Sequence, residues 1–77
     1  MQDQIERSVR AEIAHLLGLE DVPVAMDLSE LGMSSALVLL LHTRLNAEYG
    51  YIVDLVDLFV AESVRDVIVS VRRKNVP

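Results

Sequence analysis

The chain has 77 residues with a formal net charge of -5, and 52% of them are hydrophobic while only 4% are aromatic. That is enough for one small domain with a thin aliphatic core, and the absence of cysteine excludes a disulfide scaffold, a thiolate metal site and a cysteine nucleophile. Between Glu20 and Glu62 there are eight acids and one base, Arg44; this middle repels nucleic acid, which is bound by neutralising phosphates, and suits basic protein partners or plain solubility.

The spacing predicts helices throughout. Ile5, Val9, Ile13, Leu16 and Leu17 form one stripe at helical period over Gln4 to Leu17. Asp3 and Glu6 have capping-box spacing at its start, and Gly18 is its stop. The polar, acidic first residues do not resemble a secretory leader. The longest apolar run, Ala36 to Leu41, is far too short to cross a bilayer, so a cytoplasmic chain without membrane contact is expected.

A long connection, Gly18 to Ser34, follows. Connections of this length in a small domain often carry function. Pro23 keeps its early part extended, and Val22, Val24, Met26, Leu28 and Leu31 are expected to pin it to the bundle. Asp27 and Glu30 again have capping-box spacing, which predicts a single helical turn over Leu28–Leu31. Gly32 permits a backbone conformation closed to other residues.

The next helix starts at Ser34 or Ser35 and ends near Tyr49, with Gly50 as its C-terminal signal. On its wheel Val38, Leu41, Leu45 and Tyr49 share one side, with Ser35, His42 and Asn46 roughly opposite. Ala36, Leu39, Leu40 and Thr43 form a flank outside the core stripe, so the helix carries more apolar surface than one core needs. A short helix is predicted over Leu55 to Phe59 with Asp54 as N-cap. A last one is predicted from Val64 to about Arg73, with Ser63 and Asp66 as a capping box and Arg72, Arg73 and Lys74 at the end where the dipole favours cations. The stretches Tyr51–Val60 and Val64–Val71 are rich in β-branched residues, which favour strands, but contiguous Val67-Ile68-Val69 breaks strand alternation and helix is the better reading.

The chemistry rests on Glu30-Leu31-Gly32-Met33-Ser34-Ser35-Ala36. A glycine turn delivers a serine to a helix N-terminus, where free N–H groups and the dipole favour an anion. A serine there is also an ordinary N-cap. His15 and His42 are isolated and are expected at surface or boundary positions, so no metal site and no Ser-His-Asp arrangement is expected.

The wider pattern resembles the acyl and peptidyl carrier protein family. Asp27, Leu28, Glu30, Leu31 and Gly32 fit the family's approach to its second helix, and Ser35 falls three residues after the glycine, where the family carries phosphopantetheine. Arg44, Leu45 and Gly50 resemble that helix and its end, and Asp57-Leu58-Phe59 followed by Ser63-Val64 resembles a motif of modular carriers. The resemblance runs from about Ile5 to Arg73. It implies an all-α fold, a small four-helix bundle with three longer helices, a short third one and a long loop after the first. It also implies 4′-phosphopantetheine from coenzyme A on Ser35, attached by a phosphopantetheinyl transferase using Mg²⁺. Acyl- or aminoacyl-loading enzymes and downstream synthase or tailoring enzymes are the implied partners, and the chain itself is then no enzyme.

Two positions depart from the family. Its acid or histidine before the serine is Ser34 here, and its following leucine is Ala36. Where acidic carriers place carboxylates on the exposed helix face, this chain has Leu37 and Leu40. Partner contact is therefore expected through Met33, Ser34, Ala36, Leu39, Leu40 and Thr43, or else these leucines pack beneath the long loop and the short third helix. The expectation is a free-standing, monomeric, single-domain carrier over residues 1–77, serving polyketide or nonribosomal peptide biosynthesis. The alternatives are a carrier-fold interaction module without an arm and an unrelated helical dimerisation domain.

Overall fold

The computed structural model describes residues 4–75. These form five helices: α1 (Gln4–Leu17), α2 (Leu28–Leu31), α3 (Ser35–Tyr49), α4 (Leu55–Val60) and α5 (Val64–Asn75). The architecture is the expected all-α bundle of three longer helices and a short one, with α2 as the predicted single turn inside the long loop. Val64–Val71 is helical because its apolar residues meet the core at helical spacing, Val64, Val67, Ile68 and Val71 all being buried in α5; of Tyr51–Val60 the helix takes Leu55–Val60.

The core is aliphatic throughout. Val9 and Ile13 of α1, Leu41 and Leu45 of α3, Leu58 of α4 and Val64, Val67 and Val71 of α5 are each at most 2% exposed. Removing such surface from water is the main stabilising term, worth about 25 cal/mol per Å². Phe59, the single phenylalanine, stays outside this cluster.

The long loop is tied down at both ends. Val22 is fully buried, and the Arg10 side chain of α1 donates to the Val22 carbonyl at 2.9 Å and pairs with Asp21 at 2.8 Å. Further on, the loop meets the start of α5: the Arg65 N–H donates to the Val24 carbonyl (2.9 Å) and the Val64 N–H to that of Met26 (3.1 Å). The Leu28 N–H donates in turn to the Glu62 carbonyl at 2.9 Å. First-turn N–H groups that a helix leaves unpaired are satisfied here by the loop.

Helix ends follow the predicted signals with informative exceptions. Ser63 and Asp66 form a reciprocal capping box: the Asp66 N–H donates to Ser63 Oγ (3.3 Å) and the Ser63 N–H to Asp66 Oδ2 (3.2 Å). Asp54 caps α4 by accepting from the Val56 N–H at 2.9 Å. Asp27, by contrast, makes no side-chain cap to α2; its backbone instead pairs with Ser63 in an isolated antiparallel bridge. The Asp3–Glu6 box falls on Asp3, which lies outside the described residues. Tyr49, placed by its wheel position among the core residues, is 37% exposed and stacks on Tyr51 with ring centroids 5.4 Å apart. It sits at the last turn of α3, beside Glu12 of α1.

Candidate functional site

The start of α3 is built by the turn before it. Gly32 closes α2 in the left-handed conformation at φ +91°, with its own N–H donating to the Ser29 carbonyl (3.2 Å) and that of Met33 to the Leu28 carbonyl (3.0 Å). This is a Schellman closure, which glycine adopts without a Cβ penalty. Met33 is half-buried against the core and so anchors the chain as it turns. Ser34 then sits extended as the N-cap, its Oγ accepting from the Leu37 N–H at 3.3 Å.

Capping by Ser34 leaves its neighbour free. Ser35, the first residue of α3, is exposed, and among the described residues its hydroxyl has no hydrogen-bond partner. The Ser35 and Ala36 N–H groups are likewise unpaired among the described residues, so the positive end of a 15-residue helix faces outward here. Beside Ser35 runs an open groove of about 220 Å³. Its walls are mixed: Leu28, Met33, Val38, Leu58, Phe59 and Ala61 line it together with Ser29, Ser34 and Ser35. An exposed hydroxyl, an anion-favouring helix end and an adjoining open groove of mixed polarity fit a phosphodiester followed by a long flexible arm.

The flank of α3 predicted for partner contact is in the open. Ser34, Ala36, Leu39, Leu40 and Thr43 are exposed, Leu39 and Leu40 each to 50%. The leucines therefore do not pack beneath the long loop. Met33 is the member of the set that is half-buried, and Leu37 is half-buried as well. Thr43 returns its hydroxyl to the Leu39 carbonyl of its own helix at 3.1 Å.

The face is uncharged because the helix spends its charges behind it. Arg44 pairs with the buried Glu12 of α1, whose side chain is 7% exposed, and with Glu48 at 3.6 Å. The bond from Glu12 raises the Arg44 pKa above its ordinary value, against the opposing pull of desolvation. Tyr49, in the same cluster, is raised as well, first by burial and then by the negative charge of Glu12. His42 is a boundary residue, its Nε2 sharing a hydrogen with the Val53 carbonyl at 3.0 Å, and His15 is exposed. Among the described residues no group of three potential ligands could hold a metal ion, and no helix is long and apolar enough to cross a membrane.

Sequence reasoning overlooked a second apolar surface. Ile52, Val56 and Val60 are 63%, 66% and 69% exposed, and Phe59 is 47% exposed. They recur at fourth-residue spacing across α4 and its lead-in, flanked by Asp54, Asp57 and Glu62, with no base between Arg44 and Arg65. The signal was present: Val56 and Val60 are out of phase with Leu58, which alone of α4 is buried. Phe59 is the residue that joins this surface to the groove at Ser35.

No curated protein matches the chain as a relative. A family model described as the phosphopantetheine attachment site matches residues 7–68, a span that takes in most of α1, the loop, the Gly32 turn, all of α3 and α4, and the first turn of α5. With the bundle and the turn described above, this match establishes that the chain belongs to the phosphopantetheine-attachment family of acyl and peptidyl carriers, whose members carry a covalent 4′-phosphopantetheine group.

Proposed function

We propose that Ser35 is the residue that bears the phosphopantetheine, and that the chain is a free-standing, single-domain, non-catalytic carrier over residues 1–77. The observation that carries this reading is the division of labour between neighbours: Ser34 is used as the cap, while Ser35 is exposed at the head of the helix with its hydroxyl unengaged. When bound, the group supplies a terminal thiol that holds an acyl or aminoacyl cargo as a thioester. The protein's part is to present the attachment point, to offer positive helix potential to the phosphodiester, and to raise the local concentration of cargo at each docked enzyme.

Partner enzymes (the phosphopantetheinyl transferase, then loading and synthase or tailoring enzymes) are read as gripping an apolar face made of Ala36, Leu39 and Leu40, with Met33, Ser34 and Thr43 around the attachment point. Exposed aliphatic surface of this extent marks an interaction site. The scarcity of charge on α3, with Leu37 and Leu40 where acidic carriers have carboxylates, supports service in polyketide or nonribosomal peptide biosynthesis over primary fatty-acid synthesis. Cytoplasmic, monomeric operation goes with this reading.

The test is intact mass after incubation with coenzyme A, Mg²⁺ and a broad-specificity transferase. One phosphopantetheinyl addition is expected, absent in Ser35→Ala. An addition that persists in Ser35→Ala moves the site to Ser34. No addition from folded protein, including with a transferase of the producing organism, replaces this reading with the armless interaction module.

A further inference from the structure

The connection between α3 and α4 is held in an unusual way. Its apolar residue Ile52 is 63% exposed, so burial of that side chain does not anchor it. Tyr51 and Val53 on either side are partly buried against the core, and the backbone is gripped in addition by polar side chains from two helices. Asn75, in the last turn of α5, accepts from the Ile52 N–H through Oδ1 and donates from Nδ2 to the Ile52 carbonyl, both at 2.8 Å. The same Nδ2 also donates to the Val71 carbonyl at 2.7 Å, which ties the amide to its own helix. On either side, Asn46 donates to the Tyr51 carbonyl at 3.2 Å and His42 bonds the Val53 carbonyl.

Asn75 thus reads Ile52 as a neighbouring strand would, with one donor and one acceptor on one residue. No shorter or singly functional side chain can do this: the pair of bonds needs an amide. It also lies beyond residue 68, where the family match ends, so nothing in the family pattern assigns it. Two residues after Ile52, Asp54 caps α4, and α4 supplies Leu58 and Phe59 to the groove beside Ser35. The placement of that wall therefore depends on where the connection is held.

We propose that Asn75 is a positioning residue: a latch from the end of α5 that fixes the α3–α4 connection and, through α4, the Phe59 wall beside the attachment serine. The proposal rests on Ser35 as that serine. Losing the latch frees α4 to shift on its short tethers, so the transferase meets a less defined surface around an unchanged hydroxyl. The effect belongs on KM for the carrier, with kcat retained.

The experiment compares wild type, Asn75→Ala, Asn75→Asp and, as a control for the same helix end, Lys74→Ala, an exposed neighbour. Two readouts are taken: amide exchange at Ile52 by NMR, and the kcat and KM of transferase loading from coenzyme A. Asn75→Ala is expected to speed Ile52 exchange about tenfold, since one net hydrogen bond corresponds to a factor of that order. It should raise KM several-fold with kcat within about twofold of wild type. Asn75→Asp keeps the acceptor for the Ile52 N–H and is expected to restore protection at that amide while recovering KM in part; Lys74→Ala should match wild type. Unchanged Ile52 exchange in Asn75→Ala, an unchanged KM, or equal effects from Lys74→Ala would each overturn the latch. Failure of wild type to load, or loading that survives Ser35→Ala, overturns the attachment reading instead and is seen before any Asn75 variant is compared.

Discussion

The two faces of α3 should respond oppositely to one substitution, leucine to alanine. Leu45 is fully buried and Leu41 1% exposed, whereas Leu39 and Leu40 are each 50% exposed on the same helix. Deleting a buried leucine side chain costs about 2–5 kcal/mol, transfer and cavity terms together. For 77 residues at about 0.05–0.15 kcal/mol each, the whole domain holds about 4–12 kcal/mol. Leu45→Ala therefore removes a large share of it, and the urea midpoint should fall steeply at constant slope. Leu40→Ala keeps the helix propensity and forfeits only part of a burial term of about 1.5–3 kcal/mol, so its cost should stay under about 1 kcal/mol. In loading and docking assays the order should invert: Leu40→Glu, folded to wild-type stability, should lose partner engagement. Equal destabilisation by Leu40→Ala and Leu45→Ala would refute the assignment of faces. A Leu40→Glu protein that engages its partners as well as wild type would refute the apolar docking surface.

Three further outcomes follow from the turn and the buried cluster. Gly32→Ala meets no atom within 4 Å, so its cost is conformational alone, about 1–2 kcal/mol for a Cβ in the left-handed region, read as a lowered urea midpoint, and Gly32→Asn should cost less. Ser34→Ala removes the α3 cap and should cost about 0.5–2 kcal/mol, while Ser34→Asp should keep the midpoint and speed transferase loading by restoring the family's acid; loading no faster in Ser34→Asp would show that the missing charge does not matter. Tyr49 has its pKa raised by burial, so the folded state disfavours its ionisation: stability is intact below the ordinary tyrosine value near 10 and declines as pH rises from there through the folded value. Tyr49→Phe should blunt that alkaline decline in a midpoint-versus-pH series, and an unchanged slope would contradict the assignment.

Much of this protein was legible in the order of its residues, for local reasons. Helices α1, α3 and α5 follow from apolar recurrence at helical period. Their ends follow from Gly18, Gly50 and the Ser63–Asp66 box, signals that act within one turn. The Gly32–Ser35 spacing marks the candidate site because the turn, the cap and the helix end are all consecutive. Local signals failed where a distant segment competed. Asp27 has the spacing of a cap but makes no side-chain cap bond, the residues beside it being bonded to the α4–α5 connection, Leu28 to Glu62 and Met26 to Val64. Tyr49 has the phase of a core residue but is 37% exposed at the last turn of α3.

Only the tertiary structure decided which apolar residues remain outside. A wheel gives the phase of Leu39 and Leu40, but whether a loop lies over that phase depends on contacts many residues away, here the clasp of Val24 and Met26 onto the start of α5. The same holds for the exposed row on α4 and for the three polar grips on residues 51–53. Sequence determined the helices, their caps and the place of the serine, because those depend on neighbours along the chain. The exposed apolar faces and the bonds between Asn75 and Ile52 depend on how the helices pack together, and that arrangement exists only in the folded bundle.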